Sequence, residues 1–140
     1  MAFAHSRNSV FKLDDGGGTL RTLAGLSDVS GLPGAPARES VLSLGDQGER
    51  TITSIENVTF QLSGSYDDTA TTGNIAVLIS LRGIDNTATF EYAPNGTATG
   101  QVKATGECFL AELELSTSVG GKVGWSATFQ VDGVVTLGVY

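Results

Sequence analysis

The sequence predicts a mainly β protein in which antiparallel strands are joined by glycine turns and one amphipathic helix packs on the sheet. Three observations predict it. Val123, Trp125, Ala127, Phe129 and Val131 alternate without a break with Gly124, Ser126, Thr128, Gln130 and Asp132, the period of a strand with one dry face and one wet face. Nineteen glycines against a single methionine describe a turn-rich chain rather than a helical bundle. Turn dipeptides, Asn95-Gly96, Gly120-Gly121 and Asp132-Gly133, punctuate the apolar alternation where hairpins need them. At 140 residues the chain is expected to be one domain, 1–140, able to bury roughly two-thirds of its unfolded surface.

In chain order, residues 1–8 carry no periodicity and are expected to form a flexible arm, loose or held by a neighbour. Ser9 to Asp14 reads as a strand, Asp14-Asp15-Gly16-Gly17-Gly18 as a turn, and Thr19 to Leu26 as the returning strand of a hairpin. The paired carboxylates of that turn admit a calcium site, but no further acidic ligands follow at regular spacing. From about Ser30 to Arg50 the pattern fails among prolines, glycines and mixed charges, which predicts a long loop of the kind ordered by a partner. Thr51 to Ser65 then resumes alternation, with Val58, Phe60 and Leu62 on one face, as a single strand.

Helix competes with strand at about Thr72 to Arg82. Ile75, Leu78, Ile79 and Arg82 share a helical face, a Thr stands ready as N-cap and Gly83 can close the C-terminus, although Ile75, Val77 and Ile79 would also alternate in a strand. Helix is the preferred reading. Thr87 to Tyr92 is a strand, followed by the Ala93-Pro94-Asn95-Gly96 turn. Thr99 to Leu115 reads as one strand of about 17 residues, about 55 Å long, against a typical 5 to 6 residues. Its apolar phase switches from Val102, Ala104 and Cys108 to Phe109, Ala111, Leu113 and Leu115, so a β-bulge is expected between Gly106 and Leu110. Two further strands, Val123 to Asp132 and Val134 to Tyr140, complete a three-stranded meander.

Reaction chemistry is sparse. The single histidine, His5, lies in the arm, so a Ser-His-Asp or Cys-His arrangement would hang its base on a loose terminus. Cys108 is the single cysteine, which excludes an intrachain disulfide and reads as a small buried hydrophobe. Glu112 and Glu114 share a strand face, the pattern of a solvated surface more than of a glycosidase pair. No nucleotide-binding, zinc-protease or redox motif occurs, so no catalytic residue, cofactor or metal is expected. The longest apolar run, Ile75 to Ile79, is too short for a bilayer and the first ten residues lack the apolar core of a signal peptide, so the chain is expected in the cytosol with no membrane insertion. A net charge of −7 argues against gripping nucleic acid through phosphate contacts.

The order of elements, and the phrases SVFKLDDGGGTLRTL, ESVLSLGDQGERTI, VTFQLSGSYDD, NIAVLISLRG, TATFEYAPNGTATGQVKATGECFLAELELS and VGGKVGWSATFQVDGVVTLGVY, resemble the major tail tube proteins of long-tailed bacteriophages and gene transfer agents. The resemblance spans nearly the whole chain. It implies an antiparallel β-sandwich or barrel-like tail tube domain that forms hexameric rings, stacked into a hollow tube through which double-stranded DNA leaves the capsid. Implied partners are other copies of the chain, a tape measure protein inside the tube, a tail terminator and distal tail proteins at its ends, and DNA in transit without specific binding. The implied location is the virion tail, assembled in the bacterial host cytoplasm. Lumen-lining groups are expected among Glu56, Glu91, Glu107, Glu112 and Glu114, and ring-stacking ion pairs among Arg38, Glu39, Asp46, Glu49 and Arg50. The competing reading is a monomeric adhesin-like β-sandwich that binds a ligand on an exposed aromatic, for which Trp125 is the candidate.

Overall fold

The computed structural model describes residues 5–41, 44–45, 47–48, 50–69, 73–83 and 87–140. A turn of 3-10 helix at Ser6–Asn8 leads into β1 (Val10–Asp14), β2 (Leu20–Thr22), β3 (Leu26–Ser30), β4 (Pro36–Val41), β5 (Arg50–Glu56) and β6 (Thr59–Ser65). One helix, α1 (Asn74–Leu81), separates these from β7 (Ala88–Ala93), β8 (Val102–Ser116) and β9 (Gly124–Val139). Among the described residues the strands form a seven-stranded antiparallel sheet, in the order β2-β1-β7-β8-β9-β6-β3, and a separate β4-β5 hairpin.

The larger sheet cannot be flat. Phe60 of β6 and Phe90 of β7 are three strand spacings apart, about 14 Å in a flat sheet, yet their ring centroids lie 5.0 Å apart. Phe11 of β1 reaches Phe60 as well, at 5.8 Å. The sheet therefore folds over into two layers that share their two long strands. One layer holds β2, β1, β7 and the N-terminal part of β8 with the C-terminal part of β9; the other holds the remainder of β8 and β9 with β6 and β3. The bend falls at two bulges. Gly106 opposes three residues of β9, Gly133 to Val135, and Ala111 is an extra residue opposite the Thr128–Phe129 step. This is the sandwich, barrel-like architecture that the resemblance implies.

Between the layers lie Phe11, Leu13, Phe60, Leu62, Phe90, Cys108, Phe129 and Trp125, with the buried face of α1. That face is Asn74, Ile75, Val77, Leu78 and Leu81, not the predicted set, because Ile79 points to solvent at 55 % exposure while Val77 is fully buried. The helix has Gly73 rather than a threonine as its N-cap and no side-chain cap there. Thr72 lies outside the described residues. The expected left-handed glycine follows its C-terminus, with Gly83 at φ 77.

Other expectations are corrected. Residues 30–50 are not one structureless loop, since Pro36–Val41 pairs with Arg50–Glu56 as a hairpin. The expected single strand over residues 51–65 is two strands in different sheets, broken at Asn57 and Val58. The return strand after the Asp14–Gly18 turn stops at Thr22, and Leu26–Ser30 crosses to the opposite edge of the sheet. Asp132-Gly133 makes no turn: the meander's last two strands are one strand with Gly133 in its bulge, at φ 92. The Ala93–Gly96 turn forms, but the link from β7 to β8 runs on to Gln101.

Candidate functional site

Side-chain parity puts polar rows on the outer face of each layer. On the layer of β8, β9, β6 and β3, Glu112 stands beside Thr128, Gln61 and Ser30 in turn, and Glu114 beside Ser126, Ser63 and Asp28. These rows enclose a shallow depression of about 260 Å³. On the other layer Thr22, Lys12, Glu91, Thr105 and Thr136 form one row, and Thr89, Glu107 and Asp132 another. There Thr89 Oγ1 donates to Glu107 at 2.6 Å, the Tyr140 hydroxyl donates to Glu91, and Lys103 Nζ lies 4.8 Å from the Tyr140 ring centroid. Burial first, then Glu91, pushes the Tyr140 phenol up to about 12.

The five expected lumen acids thus divide. Glu112 and Glu114 share a face with Asp28, Glu91 and Glu107 occupy the face of the opposite layer, and Glu56 closes β5 in the hairpin. Of the expected stacking residues, Arg38, Glu39 and Arg50 lie on the hairpin strands, where Arg38 donates to Thr53 Oγ1 at 2.9 Å. Asp46 and Glu49 lie outside the described residues. The hairpin is nearly all solvent-facing and exposes Ile52 and Ile55, the latter by 83 %.

The layer of β8, β9, β6 and β3 has two edges that lack a strand among the described residues. β7 runs no further along β8 than the Ala88–Cys108 pair, so Phe109 to Ser116 has β9 on one side only. β3 pairs with β6 on one side and has no strand on the other. These edges bound the four-stranded layer whose outer face carries Glu112 and Glu114. An open cleft of about 580 Å³ runs between the β3 edge and β1.

The segment leading into β3 is held by Asn74, which is completely buried. Its Nδ2 donates to the carbonyls of Ala24 and Ser65, both at 2.8 Å, and its Oδ1 accepts from Asp67 N–H at 3.1 Å. Gly64 lets β3 approach β6 closely, because a Cβ there would meet Gly25 O at 2.5 Å. Sequence reasoning missed both β3 and Asn74. The Leu26–Asp28 bulge breaks the β3 alternation, and an asparagine at a helix start looks like a cap rather than a buried clasp.

The other flagged groups have local roles. Asp15 accepts from Gly17 N–H at 2.9 Å and from Arg21 Nε at 3.0 Å, and these bonds, the Gly17 one first, hold its carboxyl below the usual range. Cys108 is fully buried, and burial, followed by the Glu107 charge, pushes its thiol up to about 12. Trp125 is buried and donates through Nε1 to Ser65 O at 3.1 Å, so it forms no aromatic platform. Among the described residues no three acidic, histidine or cysteine side chains are grouped to hold a metal, and no helix is long and apolar enough to cross a membrane.

No family model matches the chain, and neither does any curated protein. Solved structures do. A chain from the tail of an empty gene transfer agent particle, refined with C6 symmetry, superposes with a TM-score of 0.73 at 17% identity, covering 98% of this chain and 100% of that one. A chain of the native gene transfer agent virion gives 0.74 at 13% identity, with the same coverages. The SPP1 tail tube gives 0.73 at 10% identity, covering 99% of this chain and 80% of that one. At such identities the likeness is one of fold.

Proposed function

We propose that this chain is a structural subunit that assembles into the hollow tail tube of a phage or gene transfer agent. The observation that carries this reading is the four-stranded layer with an open edge at each side. Its strands alternate in direction from β8 to β3, so the β3 edge of one copy meets the β8 edge of the next antiparallel, and a heterologous contact of this kind closes into a ring. Closure removes both open edges. With the six-fold symmetry of the gene transfer agent tail, four strands per copy at about 4.8 Å give a backbone radius of about 18 Å, or about 24 Å at a tilt of about 40°.

The polar face of that layer then lines the bore. Duplex DNA carries about one charge per 1.7 Å, so a basic lining would hold it, whereas Glu112, Glu114 and Asp28 among hydroxyls and amides let it slide. Glu91 and Glu107 fall to the outside of the tube in this arrangement. The exposed hairpin, with Arg38, Glu39 and Arg50 on its strands, bridges successive rings. A tape measure protein within the bore, terminator and distal proteins at the ends, DNA in transit and assembly in the host cytoplasm complete the reading.

Electron microscopy of the purified protein tests it. Rings or tubes are the expected result, and dispersed particles of subunit size at high concentration overturn it. Within an assembled particle, Glu112→Lys with Glu114→Lys should slow DNA ejection while tubes still form; unchanged ejection refutes the lining role.

A further inference from the structure

The cleft between β1 and β3, an opening of about 580 Å³, is lined by the apolar side chains of Phe11, Leu26, Val29 and Tyr92 and also by Arg7, Ser27 and Asp28. Phe11 belongs to the core, and Leu26, Val29 and Tyr92 pack against it only in part, so the cleft is the core's own gap. The same chain carries unsatisfied apolar groups elsewhere. On the stretch of β8 that has no β7 neighbour, Leu113 opposes Ala127 and Leu115 opposes Trp125, so both point to the core side of their layer. Leu113 packs against its own core only in part, and Leu115 overhangs, 51 % exposed although it sits opposite a buried tryptophan.

We infer that the cleft is the socket for Leu113 and Leu115 of the adjacent copy. This rests on the edge-to-edge ring proposed above. Parity carries it: when one sheet continues across two chains, residues in core phase on both strands point to the same side. On β3 the core phase is Leu26 and Val29, which oppose Gly64 and Leu62, and these two line the cleft. A β8 strand added to the β3 edge therefore delivers Leu113 and Leu115 beside Leu26 and Val29, over Phe11 and Tyr92. The outward phase delivers Glu112 and Glu114 to the face that carries Asp28. Each subunit is left with an incomplete core that the next one fills.

Leu115→Glu tests this without touching the subunit's own core. The variant should keep the wild-type circular dichroism and melting temperature, while tube yield falls by about tenfold or more, since the carboxylate would be desolvated against Leu26 and Val29. A variant that forms tubes at wild-type yield overturns the socket and leaves the tube reading standing. Wild-type protein that never assembles overturns both. Should Leu115→Glu melt early, a second measurement decides. Tagged Val29→Cys copies co-assembled with Leu115→Cys copies should give a mixed crosslinked dimer with a short bismaleimide. Absence of that dimer in intact tubes overturns the inference.

Discussion

Asn74→Ala is the sharpest test of how the open β3 edge is positioned. The substitution removes an amide that is completely buried and makes three hydrogen bonds, two donated to the carbonyls of Ala24 and Ser65 and one accepted from Asp67. Ser65 O keeps a second donor, Trp125 Nε1. Ala24 O and Asp67 N–H lose the bond that Asn74 gave them. Both groups are only partly screened from water, which replaces part of what they lose, so the expected loss is about 1–3 kcal/mol. With an unfolding entropy of about 2.1 cal/mol/K per residue, this lowers the melting temperature of a chain of this size by about 3–10 °C. Urea denaturation and calorimetry measure both numbers. Ile79→Ala, at an exposed position on the same helix, is the control and should shift stability by less than about 1 kcal/mol. An Asn74→Ala loss no larger than the control's would refute the clasp. Asn74→Asp discriminates further, because at neutral pH it points a carboxylate at two carbonyl oxygens; it should be worse than Asn74→Ala, and lowering the pH should narrow the gap.

Gly64→Ala forces a Cβ to within 2.5 Å of Gly25 O and 3.1 Å of Leu26 Cα, and should cost about 1–3 kcal/mol in urea denaturation. Gly124→Ala, whose Cβ would meet nothing closer than 3.4 Å, should be near neutral; equal effects would refute the close approach of β3 to β6. The buried Cys108 thiol, raised to about 12 by burial and the Glu107 charge, should resist maleimide in the folded subunit at mildly alkaline pH and react fully in urea. Rapid labelling of native protein would contradict that burial.

The sequence made the buried strands legible and the exposed ones not. β6 and the first half of β9 place Phe60, Leu62, Trp125, Ala127 and Phe129 against the core, so their alternation is a direct trace of one dry face. β3 and β4 are largely exposed on both faces, so burial imposes no period on them and they read as loop, while β5, exposed as well, reads as part of one strand with β6. The break in β8 was legible only in part: one register shift falls at Gly106, within the expected span, but the extra residue that reverses the facing is Ala111, just beyond it, and Phe109 opposes Gln130 on the outer phase rather than joining Leu113 and Leu115. Asp132-Gly133 was misleading for a related reason: a positive-φ glycine serves a bulge as well as a turn, and only pairing across to β8 distinguishes them. The acids on β7, β8 and β9 could be found but not grouped, because the layer to which each belongs depends on a fold in the sheet. Parity alone cannot reveal that fold.

The bend and the open edge have one origin. β7 pairs with β8 from Ala104 to Cys108, and beyond that point β8 turns with β9 into the second layer. β7 has no bulge with which to follow. Eight residues of β8 are thereby stripped of a neighbour by the same distortion that brings Phe90 and Phe60 to 5.0 Å. Packing the core and exposing the edge are therefore not separate features that a mutation could trade against each other. An unbulged β8 would keep β7 beside it, flatten the sheet and separate the phenylalanines, and would also turn Glu112 and Glu114 to the side now held by Leu113 and Leu115. A subunit that folds this way presents an open β8 edge, a β3 edge that it does not itself cover, and a cleft between the layers. In the tube proposed above, assembly would be the completion of the fold rather than an addition to it.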